Sequence, residues 1–262
     1  GVPRCRAGDA QPREMTGRRV CLIALLLCVA THTDAGLTTA RIAIIIDDLG
    51  YQLKAGSRAL ALPGNVAFSF LPGTPHAKRL ARRAHEQGKE VLLHLPLQAE
   101  SEANHEEVMR DPIGIRLEMN RGQVSSEFAS ALQSVPHAVG VNGHRGSLLT
   151  RHPGHMQWLM EEISARDGLF FVDSYTTHKS VALQIAGELN VAAVKRDVFL
   201  DPDRSSDTVA REFERLVTIA RKRGAAIAIG HPHETTLGFL EHQIPMLAAR
   251  DIELVRVGEL VR

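Results

Sequence analysis

The sequence predicts an α/β fold with a mainly parallel sheet, and three observations carry that expectation. Short apolar runs recur along the chain, stretches with helical spacing lie between them, and His, Asp and Asn gather just past the ends of the runs. Runs that are apolar without alternation suit strands covered on both faces, the situation of a parallel sheet. Their alternation with helices is the mark of repeated βα units.

In chain order the strand candidates are Ile42–Ile46, Val66–Phe70, Val91–Leu95, Ala138–Val141, Leu169–Val172, Val191–Val194, Ala225–Ile229 and Leu254–Val257. Helical spacing marks Pro75 to Gln87, Gln123 to Gln133, Met156 to Arg166 and Ser206 to Arg223. Gly88 stops the first of these and Gly224 the last, because glycine readily takes the left-handed conformation that ends a helix. The stretch from Pro96 to Arg121 breaks the rhythm. It is polar, carries Glu100, Glu102, Glu106 and Glu107, and has turn signals at Asp111-Pro112 and Ile113-Gly114. It reads as a long excursion over one end of the sheet. With no low-complexity linker or internal repeat, residues 36–262 are expected to form a single catalytic domain.

Residues 1–35 read as upstream sequence and a secretory signal peptide. Arg18 and Arg19 precede an unbroken apolar run from Val20 to Ala30, and Thr33-Asp34-Ala35 places small residues where a signal peptidase cuts. The run is too short to span a bilayer, which takes about 20 residues. Export to the periplasm or envelope is therefore expected, without a stable membrane span after cleavage. Cys5, Cys21 and Cys28 all fall in this segment. A mature chain starting near Gly36 would hold no thiol, so any metal would rest on His and carboxylate. The 31 basic and 30 acidic residues nearly cancel, which argues against a nucleic-acid partner held by bulk charge. Aromatics make up only 4% of the chain, thin for a sugar-binding platform, although one ring in the right place would serve.

The polar residues fall on one edge of the predicted sheet. Asp47 and Asp48 follow the first run, His94 ends the third, Asn142 and His144 follow the fourth, Asp173 and Ser174 the fifth, and His231 the run after Ala225. The C-terminal edge of a parallel sheet is where ligands bind and catalysis occurs. Adjacent carboxylates repel and raise one pKa unless a cation intervenes. A divalent metal on one of them removes that repulsion and frees the other to act as a base. Two His and one carboxylate, with a position open to water, form a known hydrolytic zinc arrangement.

These residues carry a resemblance. The segment Ile44-Ile45-Ile46-Asp47-Asp48-Leu49-Gly50 resembles the first motif of polysaccharide deacetylases with the NodB-type fold. Further matches are His94-Leu95-Pro96-Leu97, Gly140 to Ser147, Phe171-Val172-Asp173-Ser174, Arg196 to Asp201, and Ile229-Gly230-His231-Pro232. With these the chain is similar to the divergent polysaccharide deacetylase family of bacterial envelopes. The resemblance implies a distorted (β/α) barrel of about seven repeats. It implies Asp47 as the catalytic carboxylate, Asp48, His94 and His144 as ligands of a divalent metal, with zinc the expected ion, and His231 as a late acid. Asn142, Arg145, Asp173, Ser174 and Asp197 are the candidate substrate-binding positions. Two departures stand out. The His-x-x-x-His motif of the better-known deacetylases is absent, and Arg145 puts a cation beside His144, where it would orient an anionic substrate or weaken metal binding.

The expected activity is hydrolysis of acetyl groups on an envelope or extracellular polysaccharide. Asp47 would take a proton from a water activated by the metal, and His231 would protonate the leaving group. Two other readings stay open: another metal-dependent barrel hydrolase, with Arg145, Lys179 or Lys195 meeting a phosphate, and a non-catalytic envelope protein that binds glycan or a partner.

Overall fold

The structure, a computed structural model, describes residues 39–103, 111 and 113–261. The upstream segment and signal peptide expected from the sequence lie outside the described residues. The strands are β1 (Ala40–Leu49), β2 (Ala67–Phe70), β3 (Val91–Leu97), β4 (Ala138–Arg145), β5 (Phe170–Asp173), β6 (Ala193–Lys195), β7 (Val198–Phe199), β8 (Ala225–Gly230) and β9 (Ile252–Leu254). Around them run α1 (Leu53–Leu60), α2 (Ala77–Glu86), α3 (Glu100–Ala103), α4 (Arg121–Ser134), α5 (Pro153–Ser164), α6 (Ala182–Glu188), α7 (Ser206–Arg223) and α8 (Glu234–Gln243).

The predicted helix from Ser206 to Arg223 forms with those bounds. Ser205 caps it by accepting from the Thr208 N–H, and Gly224 ends it in the left-handed region at φ 86°. The last predicted strand is displaced. Pairing with β1 occurs at Ile252–Leu254, because the N–H groups of Val257 and Gly258 are taken by the half-buried carboxylate of Glu90, at 2.6 and 3.1 Å.

Every strand pairing is parallel, in the order β6-β5-β4-β3-β2-β1-β8-β7, with β9 on the lower end of β1. β6 and β7 stand at opposite ends of that order, yet only Arg196 and Asp197 separate them in the chain. The Arg196 N–H donates to Asp173 on the β5 side at 3.0 Å, while those of Asp197 and Leu200 donate to Ile227 and Ile229 of β8 at 2.9 and 2.8 Å. One extended segment is thus bonded to both edges and curls the sheet into a distorted barrel.

The uniform apolarity of the runs hides an alternation of neighbours. Ile42, Ile44 and Ile46 pack outward in one cluster with Leu80, Phe128 and Phe213 of the helices. Ala43 and Ile45 face inward with Ala67, Leu92, Phe170, Val172, Ile227 and Ile229. All five residues of Ile42–Ile46 are fully buried, worth about 1.5–3 kcal/mol for each isoleucine. The interior is full: a Cβ on Gly140 would lie 2.4 Å from the Phe170 ring and 2.8 Å from Leu92. Among the described residues no helix is long and apolar enough to cross a membrane.

Asp197, expected at the substrate site, is engaged elsewhere. It lies on the helix side of the closing segment, where one carboxylate oxygen accepts from Arg223 at 3.0 Å and the other from the Ile227 N–H at 3.0 Å. Its carboxylate stands in for a strand carbonyl at the barrel seam. Asp197→Ala would strand a half-buried N–H, which costs about 1–3 kcal/mol. The expected result in a thermal melt is a drop of roughly 2–4 °C per kcal/mol, with metal binding at the opposite face of the barrel wall retained.

Candidate metal-dependent active site

Consecutive strand residues point to opposite faces, so Asp47 and Asp48 should not share a site. They do because β1 bulges: its pairing with β2 shifts register between Ile46 and Leu49, and Asp48 sits in the left-handed region at φ 57°. Such a conformation costs a non-glycine residue about 1–3 kcal/mol and persists where surrounding contacts enforce it. The bulge keeps Asp47 on the inward face and turns Asp48 over the barrel mouth.

Inward positions of the neighbouring strands supply the rest. His94 on β3 lies in register with Asn142 on β4. Fully buried Asn142 is the hub: its amide nitrogen donates to both oxygens of Asp47, at 2.8 and 3.0 Å, and its carbonyl accepts from Ser69 Oγ at 2.5 Å. That carbonyl also lies 2.9 Å from His94 Nδ1. A carbonyl can only accept, so His94 Nδ1 carries a proton, and Nε2 is the atom that faces Asp48.

Three ligand atoms then meet. Asp48 Oδ1 is 3.1 Å from His94 Nε2 and 3.0 Å from His144 Nδ1, and the two His nitrogens are 3.1 Å apart. Asp48 Oδ1 is buried, and the two His nitrogens are the polar atoms that face it. Donor atoms that converge in this way could share a metal ion, and without one the positive charge beside Asp48 is that of a protonated His94. The edges are close to the ~3.3 Å edge of a tetrahedron with bonds of about 2.0–2.1 Å, and the donor set suits zinc.

The electrostatics agree. Burial alone would raise the Asp48 carboxyl, but bonds from His144 and His94 hold it well below the usual range. Burial pulls His94 down, and the Asp47 and Asp48 carboxylates outweigh it, pushing His94 up to about 9. Asp47, only 2% exposed, goes the other way: burial raises its carboxyl despite the opposing pull of His94, His231 and Asn142.

His231, just past β8, faces the group from the other side, with Nε2 3.7 Å from Asp48 Oδ2. Its Nδ1 lies 2.9 Å from Asp201 Oδ1, and Asp201 Oδ2 accepts from the His231 N–H and from Thr236 Oγ1. Burial opposes the charged imidazole, but the Asp201 bond and nearby carboxylates raise its pKa. Asp201, His231 and His233 also converge as potential ligands, and the 2.9 Å contact with Asp201 orients the His231 imidazole.

The remaining expected site residues are placed differently. Arg145 forms an ion pair with buried Glu102 of α3, so its charge is neutralised and ties α3 to the end of β4. Asp173 follows outward-facing Phe171 in phase, and its oxygens accept from the Tyr175 N–H and Ser180 Oγ, both at 2.8 Å. It organises its own loop. Ser174 Oγ is buried without a partner. Asp201, Ser69 and Asp111 were missed. Asp201 follows the apolar pair Phe199-Leu200, a strand-end position like the others; Ser69 lies inside an apolar run and gives no signal. Asp111 comes from the polar excursion, with Oδ2 3.7 Å from His144 Nε2 and Oδ1 accepting from the Tyr51 hydroxyl at 3.4 Å.

The sequence profile of the divergent polysaccharide deacetylases matches residues 44–261. The chain belongs to that family. It is 36% identical over 244 residues to YibQ of Escherichia coli (strain K12), covering 93% of this chain and 73% of YibQ. The divergent deacetylase fold also matches the crystal structure of ATU2773 from Agrobacterium tumefaciens C58, with TM-score 0.81 and 23% identity, covering 87% of this chain and 91% of that one. A more distant match is the catalytic domain of peptidoglycan N-acetylglucosamine deacetylase from Eubacterium rectale ATCC 33656. Its TM-score is 0.50 at 13% identity, covering 83% and 88% of the two chains. At these identities the two structures establish the NodB-like fold.

The hub generates a prediction. Asn142→Ala leaves His94 Nδ1 and Asp47 without their partner, so the His94 tautomer is no longer fixed. Zinc affinity, measured by competition with a chromogenic chelator, is expected to fall about 10–100-fold, the usual cost of losing a residue that orients a ligand. Unchanged affinity would mean that the hub does not set the tautomer.

Proposed function

We propose that this chain is a metal-dependent hydrolase that removes acetyl groups from an envelope or extracellular polysaccharide. One observation carries the reading: two groups suited to moving protons stand beside the Asp48–His94–His144 ligand set, Asp47 at 3.6 Å from His94 and the Asp201-held His231 at 3.7 Å from Asp48. A divalent ion held by those three residues would polarise the acyl carbonyl and acidify water. Asp47 accepts a proton from the attacking water, because its buried carboxylate is more basic than usual and lies 3.6 Å from the ligand atom of His94. His231, held by Asp201 and biased toward its charged form, donates a proton to the departing amine or alkoxide. An N-acetylated sugar, the substrate class named for the Eubacterium rectale enzyme, is the first choice. The ordered signal-like features of residues 18–35 support export to the compartment where such glycans lie. The ion pair with Glu102 leaves Arg145 no free charge for a phosphate, which leaves the phosphoesterase reading only Lys179 and Lys195.

Acetate release from a panel of acetylated glycans by the zinc-loaded protein tests the activity, and no release from any of them would overturn it. Asp47→Asn keeps shape but cannot accept a proton; it is expected to retain zinc and lose roughly 10²–10⁴-fold in rate. Asp48→Asn and His144→Ala are expected to lose zinc first, with the melting transition still cooperative because both side chains lie at the barrel mouth. Zinc lost from the Asp47 variant and kept in the Asp48 variant would reverse the two roles.

A further inference from the structure

We propose that the cleft between the β1–α1 turn and the start of α8 receives the sugar ring, with the face of Tyr51 as its platform. This rests on the deacetylase reading above. The cleft has a volume of about 530 Å³ and opens onto Asp48 and His231, with Tyr51, Gln52, Lys54 and His233 along its walls. Ligand pockets commonly measure about 300–1,000 Å³.

The chemistry fixes which side of the ligand set the sugar must occupy. When an acetyl group leaves a sugar amine or hydroxyl, the atom that takes the proton belongs to the sugar. His231 supplies that proton, so the ring lies on the His231 side. Around Asp47, Asn142 and Ser69 there is no such room, since all three are buried. The cleft is open where the leaving group has to be.

Tyr51 supplies what a pyranose needs there. A sugar ring has a face of C–H groups and a rim of hydroxyls, so it takes a flat apolar surface edged by polar side chains. Among the described residues the large hydrophobics with strong exposure are Tyr51, Val139 and Met246, and Tyr51, at 48%, is the aromatic one and lines this cleft. The bond from its hydroxyl to Asp111 anchors the ring at its edge. Gln52 and Lys54 are exposed at the rim, whereas Arg58 is held by Glu234 and Glu241.

Calorimetric titration of the zinc-loaded Asp47→Asn protein, which binds without turnover, tests the platform. The probe is N-acetylglucosamine tetramer, or the panel glycan from which the parent releases most acetate. Adding Tyr51→Ala is expected to weaken binding about tenfold, and Tyr51→Phe, which keeps the ring, to stay within about twofold. In the active protein Tyr51→Ala raises KM by the same factor with a smaller change in kcat, since a stacking surface acts on bound substrate and transition state alike. Should Tyr51→Ala misfold in a thermal melt, Tyr51→Leu, apolar but not flat, replaces it with the same expectation. A parent that releases acetate while the Tyr51→Ala variant binds equally well would overturn the platform alone. A parent that neither binds nor deacetylates any glycan of the panel overturns both readings.

Discussion

Three potential ligand atoms about 3 Å apart, on Asp48, His94 and His144, are the constraint around which the upper half of the barrel is arranged. Nothing in an apolar core would assemble them unaided, since each resists burial. They are held because neighbouring groups are already committed. Ser69 and the His94 Nδ1–H saturate the carbonyl of Asn142, which fixes that amide with its nitrogen toward Asp47. The bulge at Ile46–Leu49 then turns Asp48 over a floor that Ile45, Leu92 and Ile229 have filled. Apolar packing below makes the polar layer above rigid.

The fold was legible because its signals are redundant. A run such as Ile42–Ile46 announces a two-sided strand, and Ser206 to Arg223 carries both its cap and its terminating glycine. The two-residue strand β7 was not legible, since it is defined by pairing to β8 and not by any pattern of its own. Its consequence, closure of the barrel through Arg196 and Asp197, was hidden with it. Strand ends located Asp47, His94, His144 and His231 because a chemical residue after an apolar run is conspicuous. The phase within the strand was harder to read. Asp173 and Asp197 lie at equally conspicuous positions but on the helix side, where they tie down a loop and a seam. Counting in twos from Phe170 and Val172, both inward, would have set Asp173 aside.

Asn142 shows the converse error of scale. Its place beside His144 marks it as polar and near the chemistry, and a substrate role follows naturally from sequence. Complete burial and three committed partners make it a residue that positions others. Arg145 is similar: the sequence shows a cation next to a ligand, and only the fold brings Glu102 from about forty residues away to neutralise it.

The missing His-x-x-x-His motif has an energetic meaning. Ligands one helical turn apart are arranged by local structure, whereas here they come from β1, β3 and β4 and meet only when those strands are paired in register. Ion binding by this set would therefore be linked to barrel assembly. An ion present at 100 times its dissociation constant would add about 2.7 kcal/mol to the stability of the folded chain, a large share of the 5–15 kcal/mol typical of a domain. The same coupling runs backward: whatever loosens the pairing of β3 with β4 loosens the ligand set. Distant interior residues such as Gly140, Phe170 and Leu92, which set how closely the strands approach below the site, thus act on its chemistry through geometry and without touching it.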